Sequence, residues 1–182
     1  MKNRKIIIVC GVNHSGTSCV AKLLIDNGAD PGEYDATILE NTPYVKYENI
    51  YFKNCCIEMA KIQSLVAPKN SIKKFVEYLK HEDSKQSKKP LVLKYPKSVY
   101  CLPELSQIIG KDRMRCVFVM RNTLDLVSSN VKKTKVNANI IFHYYNSTYT
   151  ALTQYTGDVF ITAFERIRVG LDQKMLLEYC GL

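Results

Sequence analysis

The sequence predicts an α/β fold, a parallel sheet held between two layers of helices, as one domain over residues 1–182. Two observations predict it. Ile6-Ile7-Ile8-Val9-Cys10, Leu91-Val92-Leu93, Cys116-Val117-Phe118-Val119-Met120 and Val159-Phe160-Ile161-Thr162 are short, unbroken apolar runs. Such runs mark strands buried on both faces, where alternation would mark a strand with one wet face. Segments with helical apolar spacing separate them, and strands alternating with helices imply a parallel sheet covered on both sides. A chain of 182 residues, 46% of them hydrophobic, is long enough to bury one core of that kind.

The elements follow in order. After the strand at 6–10 comes a glycine loop, then a helix over Thr17 to Asn27 with Val20, Leu23, Leu24 and Ile25 apolar and Gly28 as its C-cap. Residues 29–47, with Pro31, Gly32 and Pro43, read as an irregular connection. Helices are expected over Glu48 to Val66 and Ser71 to His81, with a mobile polar surface loop over Glu82 to Pro90. Beyond the strand at 91–93, Pro103 to Ile109 reads as a short helix. Leu124 to Lys133 is helical after the third strand, residues 138–155 fit helix better than strand, and Leu171 to Tyr179 closes the chain as a helix.

The formal charge of +9 calls for an anionic partner or a generally basic surface. Seven cysteines, an odd number without paired CxxC spacing, argue against zinc and fit a reducing cytoplasm. Met1 to Cys10 superficially suggests a signal peptide, but the apolar stretch is short and runs into a glycine loop instead of a cleavage site. No run approaches the roughly 18 apolar residues of a membrane span.

The most informative segment is Gly11-Val12-Asn13-His14-Ser15-Gly16-Thr17-Ser18. A strand, a Gly-x-x-x-x-Gly loop and a helix opening on hydroxyl residues form an anion site. The glycines let successive N–H groups turn inward, and the positive end of the helix dipole points into the same hollow. A Walker lysine would follow the second glycine; Thr17 stands there, which weakens an ATPase or GTPase reading. Arg121, at a strand's carboxyl end, offers a fixed fork of donors for a second phosphate, unless it pairs with Asp125 one helical turn on. Lys94 and Lys97 also follow a strand and reach toward the crevice at the sheet's carboxyl edge.

These segments resemble the sulfotransferases that use 3′-phosphoadenosine-5′-phosphosulfate (PAPS), the bacterial branch in particular. His14-Ser15-Gly16-Thr17-Ser18 is similar to the Lys/Arg-Ser/Gly-Gly-Thr-Ser/Thr loop that binds the donor's 5′-phosphosulfate. Arg121-Asn122-Thr123-Leu124-Asp125-Leu126-Val127-Ser128-Ser129 resembles the segment whose arginine and serine hold the 3′-phosphate, with Thr123 in place of proline. Lys94-Tyr95-Pro96-Lys97 resembles a Lys-Asp-Pro-Arg segment, and Phe164-Glu165-Arg166-Ile167 a Tyr-Glu-Asp-Leu segment. The four occur in family order across nearly the whole chain.

The resemblance implies a P-loop-like, metal-independent transferase with PAPS as donor and PAP as product. Gly11, Asn13, His14, Ser15, Gly16, Thr17 and Ser18 would hold the donor's 5′ side, and Arg121 and Ser129 its 3′-phosphate. Lys94 would face the sulfuryl oxygens or the acceptor. Asn41 through Glu48 loosely resembles a stretch bearing the family's acid, so Glu48 is the expected general base, with Glu33, Asp35 and Glu40 as rivals. Glu48 equally suits an acid in a helix's first turn. Histidine at position 14 departs from the family's lysine or arginine and puts efficient turnover in doubt; an exposed loop histidine without a role is the plainer alternative. The acceptor would be a hydroxyl or amine on a small molecule, glycan or peptide. A kinase-like NTP-using enzyme, a PAP-binding relative without turnover, and a nucleic-acid module remain as alternatives; the last lacks any recognised motif.

Overall fold

The computed structural model describes residues 4–34, 47–60, 67–134 and 137–182. Within them the chain runs β1 (Ile6–Gly11), α1 (Thr17–Asp26), α2 (Ile50–Ala60), α3 (Ser71–Ser84), β2 (Leu91–Lys94), a 3₁₀ segment (Pro96–Cys101) and α4 (Leu102–Ile109). It continues through β3 (Met114–Met120), α5 (Thr123–Thr134), α6 (Ala138–Thr153), β4 (Val159–Ala163), α7 (Phe164–Arg168) and α8 (Gln173–Cys180).

The strands form one parallel sheet in the order β2-β1-β3-β4. Every residue of β1 is buried, as its unbroken β-branched run requires of a strand with neighbours on both sides and helices on both faces. Ile6, Ile8 and Cys10 face one core with Phe52 and Cys56 of α2, Phe75 of α3 and Leu105 of α4. Ile7 and Val9 face the other, with Val20, Ala21 and Leu24 of α1 and Leu176 of α8. The expected three-layer architecture is therefore present. Burying each of these aliphatic side chains contributes about 1.5–3 kcal/mol.

Register decides which residues share the sheet's carboxyl edge. Val9 lies beside Lys94 on β2, and Gly11 beside Val119 on β3, so the residues just past each strand end stand side by side. The connection leaving β1 passes over the α1 face, whereas α6, reached from β3, packs on the opposite face with Phe118 and Tyr149. The connections leaving β1 and β3 thus set out on opposite faces of the sheet, the arrangement at which open α/β sheets bind ligands.

Three departures from expectation have physical causes. The polar stretch from Glu82 begins as the last turn of α3, because Glu82 is buried against the guanidinium of Arg4, itself buried and 2.8 Å from Asp30. Asp83 adds an ion pair of 2.7 Å to Arg113. The segment at 96–101 is a 3₁₀ turn, started by Pro96 at its first position, where the missing N–H is no loss. Helix α2 begins at Ile50, since the side chain of Asn49 accepts the Phe52 N–H at 2.9 Å; this leaves Glu48 outside the first turn. The continuation expected for that helix over 61–66 lies outside the described residues, as do Asp35, Glu40 and Asn41.

Burial alone would raise the Asp30 pKa, but the Gly32 N–H and the Arg4 guanidinium outweigh it and hold the carboxyl below its ordinary value. The stability Asp30 contributes is therefore complete above the unfolded value of about 4 and is lost as pH falls through the depressed folded one. Breaking the cluster strands a buried acid. Arg4→Leu should lower the urea-unfolding free energy by about 3 kcal/mol, and the Arg4→Leu/Glu82→Leu double variant should recover most of it. Equal losses in the single and double variants would refute the pairing.

Candidate functional site

The loop Gly11–Ser18 owes its shape to two places where a side chain cannot stand. A Cβ on Gly11, at φ +150°, would collide with the Val119 carbonyl oxygen of the neighbouring strand. A Cβ on Gly16, at φ +96°, would strike the ring of Phe164. His14 is also left-handed, at φ 66°, which a non-glycine residue adopts only where its surroundings hold it. Part of that hold is visible: the His14 carbonyl accepts Arg121 Nη1 at 3.0 Å.

The loop turns back through Ser15 N–H to the Val12 carbonyl, and α1 starts with Cys19 and Val20 N–H on the Gly16 carbonyl. Gly16 makes no side-chain cap and the first turn of α1 carries no acid. The orphan N–H groups of that turn and the dipole's positive end consequently face the loop uncompensated. Thr17 is buried, while Ser18, Asn13 and His14 are half-buried. Ser15 sits deepest in the loop. Its hydroxyl is fully buried without a hydrogen-bond partner among the described residues, at the back of the loop against Gly11.

Arg121 stands one residue past β3 and does not pair with Asp125. Its guanidinium lies 5.2 Å from the centre of the Phe164 ring, and its Nε is buried without a partner among the described residues. One Phe164 ring thus touches both Gly16 and Arg121 and joins the loop to the β3 end. Glu165 completes the junction by accepting the Asn122 N–H at 3.1 Å. Asn122 in turn starts α5, its Oδ1 accepting Leu124 and Asp125 N–H at 3.0 and 3.4 Å. On α5, Ser129 is half-buried, and its neighbour Asn130 reaches the loop, with Nδ2 3.4 Å from the Asn13 carbonyl.

On the other side of β1 the structure brings Glu48 and Lys94 together. Lys94 Nζ is buried 2.9 Å from Glu48 Oε1, and Lys53 Nζ of α2 lies 3.3 Å from Glu48 Oε2. Burial pulls the Lys94 pKa down, and the Glu48 carboxylate only partly offsets this. Glu33, the described rival, is exposed with its carboxylate 3.9 Å from Lys85. All four segments singled out from the sequence therefore meet at one edge of the sheet. Asn130 and Lys53 join them with no signal of their own in sequence, since an asparagine inside a helix and a surface-type lysine are ordinary residues there; Phe164 lies in a segment singled out by resemblance, but its contact with Gly16 and Arg121 is seen only in the fold.

The chain matches no protein-family model and no curated protein. Among solved structures it is similar to an uncharacterized protein from Eubacterium ventriosum ATCC 27560, at 15% identity over 98% of this chain and 99% of that one, with a TM-score of 0.48.

Proposed function

We propose that the chain is a sulfotransferase that moves a sulfuryl group from PAPS to a hydroxyl or amine acceptor. One observation carries the reading. An uncapped helix start in a glycine loop and an arginine from the adjacent strand meet where β1 and β3 send their connections to opposite faces. Open α/β sheets bind ligands at such a point, and two separate anion-binding elements suit a nucleotide phosphorylated at both ends. The buried, unpartnered Nε of Arg121 fits a phosphate oxygen, since an orphaned buried donor costs about 1–3 kcal/mol.

The donor supplies the sulfuryl group and leaves as PAP. The N–H groups opening α1, with Thr17, Ser18, Asn13 and His14, hold its 5′ side; Arg121 and Ser129 hold its 3′-phosphate. The acceptor oxygen bonds to sulfur as the sulfur–oxygen bond to the phosphate breaks, and the acceptor's proton passes to the Glu48 carboxylate. The Lys94 ammonium steadies negative charge on the sulfuryl oxygens, a task of positioning and electrostatics like that in phosphoryl transfer. Chain residues supply these fixed cations without a metal.

A second reading, a PAP binder without turnover, draws support from Glu48, both of whose oxygens are already engaged by lysine ammoniums. His14 in place of lysine or arginine favours it too.

Calorimetry against PAP, ADP and ATP, with and without magnesium, tests the reading. Metal-independent preference for PAP is expected, and preference for magnesium-ATP defeats it in favour of an NTP-using enzyme. Gly16→Val should abolish PAP binding while the far-ultraviolet circular dichroism of the fold persists, because the added side chain meets Phe164 at a strained φ. In a labelled-sulfate assay Glu48→Gln should lower transfer by about a hundredfold or more with PAP affinity intact. Unchanged turnover removes Glu48 from the chemistry, and PAP binding with no transfer by the unaltered chain selects the binder.

A further inference from the structure

The proposed donor straddles β1 and β3, which leaves the β2 side of the edge for the acceptor. That side holds an unusual excess of positive charge. Of its lysines, Lys53 and Lys94 share the single carboxylate of Glu48. Lys97 has no carboxylate within ion-pair distance among the described residues; its Nζ lies 5.7 Å above the centre of the Tyr144 ring, within cation–π range. It is half-buried, and burial first, then the charge of Lys53, draws its pKa below the ordinary lysine value. A partly desolvated ammonium without a counter-ion is a site that an anion would stabilise.

The surroundings fix where that site opens. The 3₁₀ segment carrying Lys97 packs against β1, α2 and α6 together, so Lys97 stands between Lys53 on α2 and Tyr144 on α6. Tyr144 also packs beside Tyr145 against Val12, Leu126 and Ile141, which sets it at the rim of the glycine loop. Its hydroxyl is buried on the side of Tyr100, whose ring centre lies 6.2 Å from its own. β2 and β3 lie on opposite sides of β1, so the strand ends that lead to Lys97 and to Arg121 are two strand spacings, roughly 10 Å, apart.

Resting on the sulfotransferase reading, we infer that Lys97 and Tyr144 form an acceptor subsite, and that the acceptor carries an oxyanion, a carboxylate above all, beside the group that is sulfated. Lys97 binds the oxyanion, and the Tyr144 ring beside it packs against the acceptor's apolar face.

Matched probes test this with the full chain. Calorimetry on the PAP-loaded protein compares 4-hydroxybenzoate with its methyl ester and glucuronate with glucose, which differ in charge at one group. At least one anionic probe should bind about tenfold more tightly than its neutral twin, the size expected of one charge-assisted contact. Lys97→Gln should erase that preference and Lys97→Arg should keep it, with PAP affinity within about twofold in both. No preference in either pair overturns the proposal, as does a preference that survives Lys97→Gln. Loss of PAP affinity in Lys97→Gln also overturns it, by giving Lys97 to the donor. Should the unaltered chain not bind PAP, the sulfotransferase reading fails by itself; the same pairs and variants on the ligand-free chain then decide the anion site.

Discussion

Strand β1 is squeezed between β2 and β3 with no room at its carboxyl end for a side chain, and much of the molecule's geometry follows from that contact. Gly11 lies against the Val119 carbonyl, so the chain must leave the sheet there and curl. The curl ends at Gly16, under the Phe164 ring, where α1 begins. Because β1 pairs with β2 on one side and β3 on the other, the same edge of the sheet receives Lys94 from the first neighbour and Arg121 from the second. Neither cation is close to the loop in sequence. Parallel pairing in a fixed register, set by apolar runs on both faces, makes them neighbours.

Charge is distributed to match. Several acids are paired with cations away from the carboxyl end of β1: Asp30 and Glu82 with Arg4, Asp26 with Lys22, Asp83 with Arg113. At the crevice Glu48 faces two lysines, and Arg121 is directed to a backbone carbonyl and an aromatic ring. Positive charge near this edge therefore exceeds its carboxylates, where helix α1 also presents its positive end.

The strands were legible because a run such as Ile6 to Cys10, apolar and β-branched at successive positions, suits a ladder covered by helices on both sides. Helix α6 was harder to read, since its tyrosines and threonines suit strands as well; Asn137 capping the Asn139 N–H and the Tyr145–Tyr149 hydroxyl contact at 3.0 Å stabilise the helix. The end of α3 was hidden because Glu82, polar and expected at the surface, is buried by an arginine 78 residues earlier. The same limit applies at the crevice. Glycines and an arginine after strands announce themselves through local backbone chemistry. Lys53 and Asn130 matter through what folding places beside them, and no local pattern encodes that.

The cysteines carry a different consequence. Six of the seven are buried, with Cys10 and Cys116 Sγ 3.8 Å apart across adjacent strands; burial drives the Cys10 thiol well up and those of Cys55 and Cys180 up to about 12. Thiolate, the reactive form, is therefore suppressed as well as shielded in the interior. Cys19 alone is exposed, one residue after Ser18 on α1. An alkylating reagent should thus meet one thiol in the native molecule and seven in an opened one. The unaltered chain carries a built-in counter of its own unfolding, and a single natural attachment point for a fluorophore at the mouth of the loop.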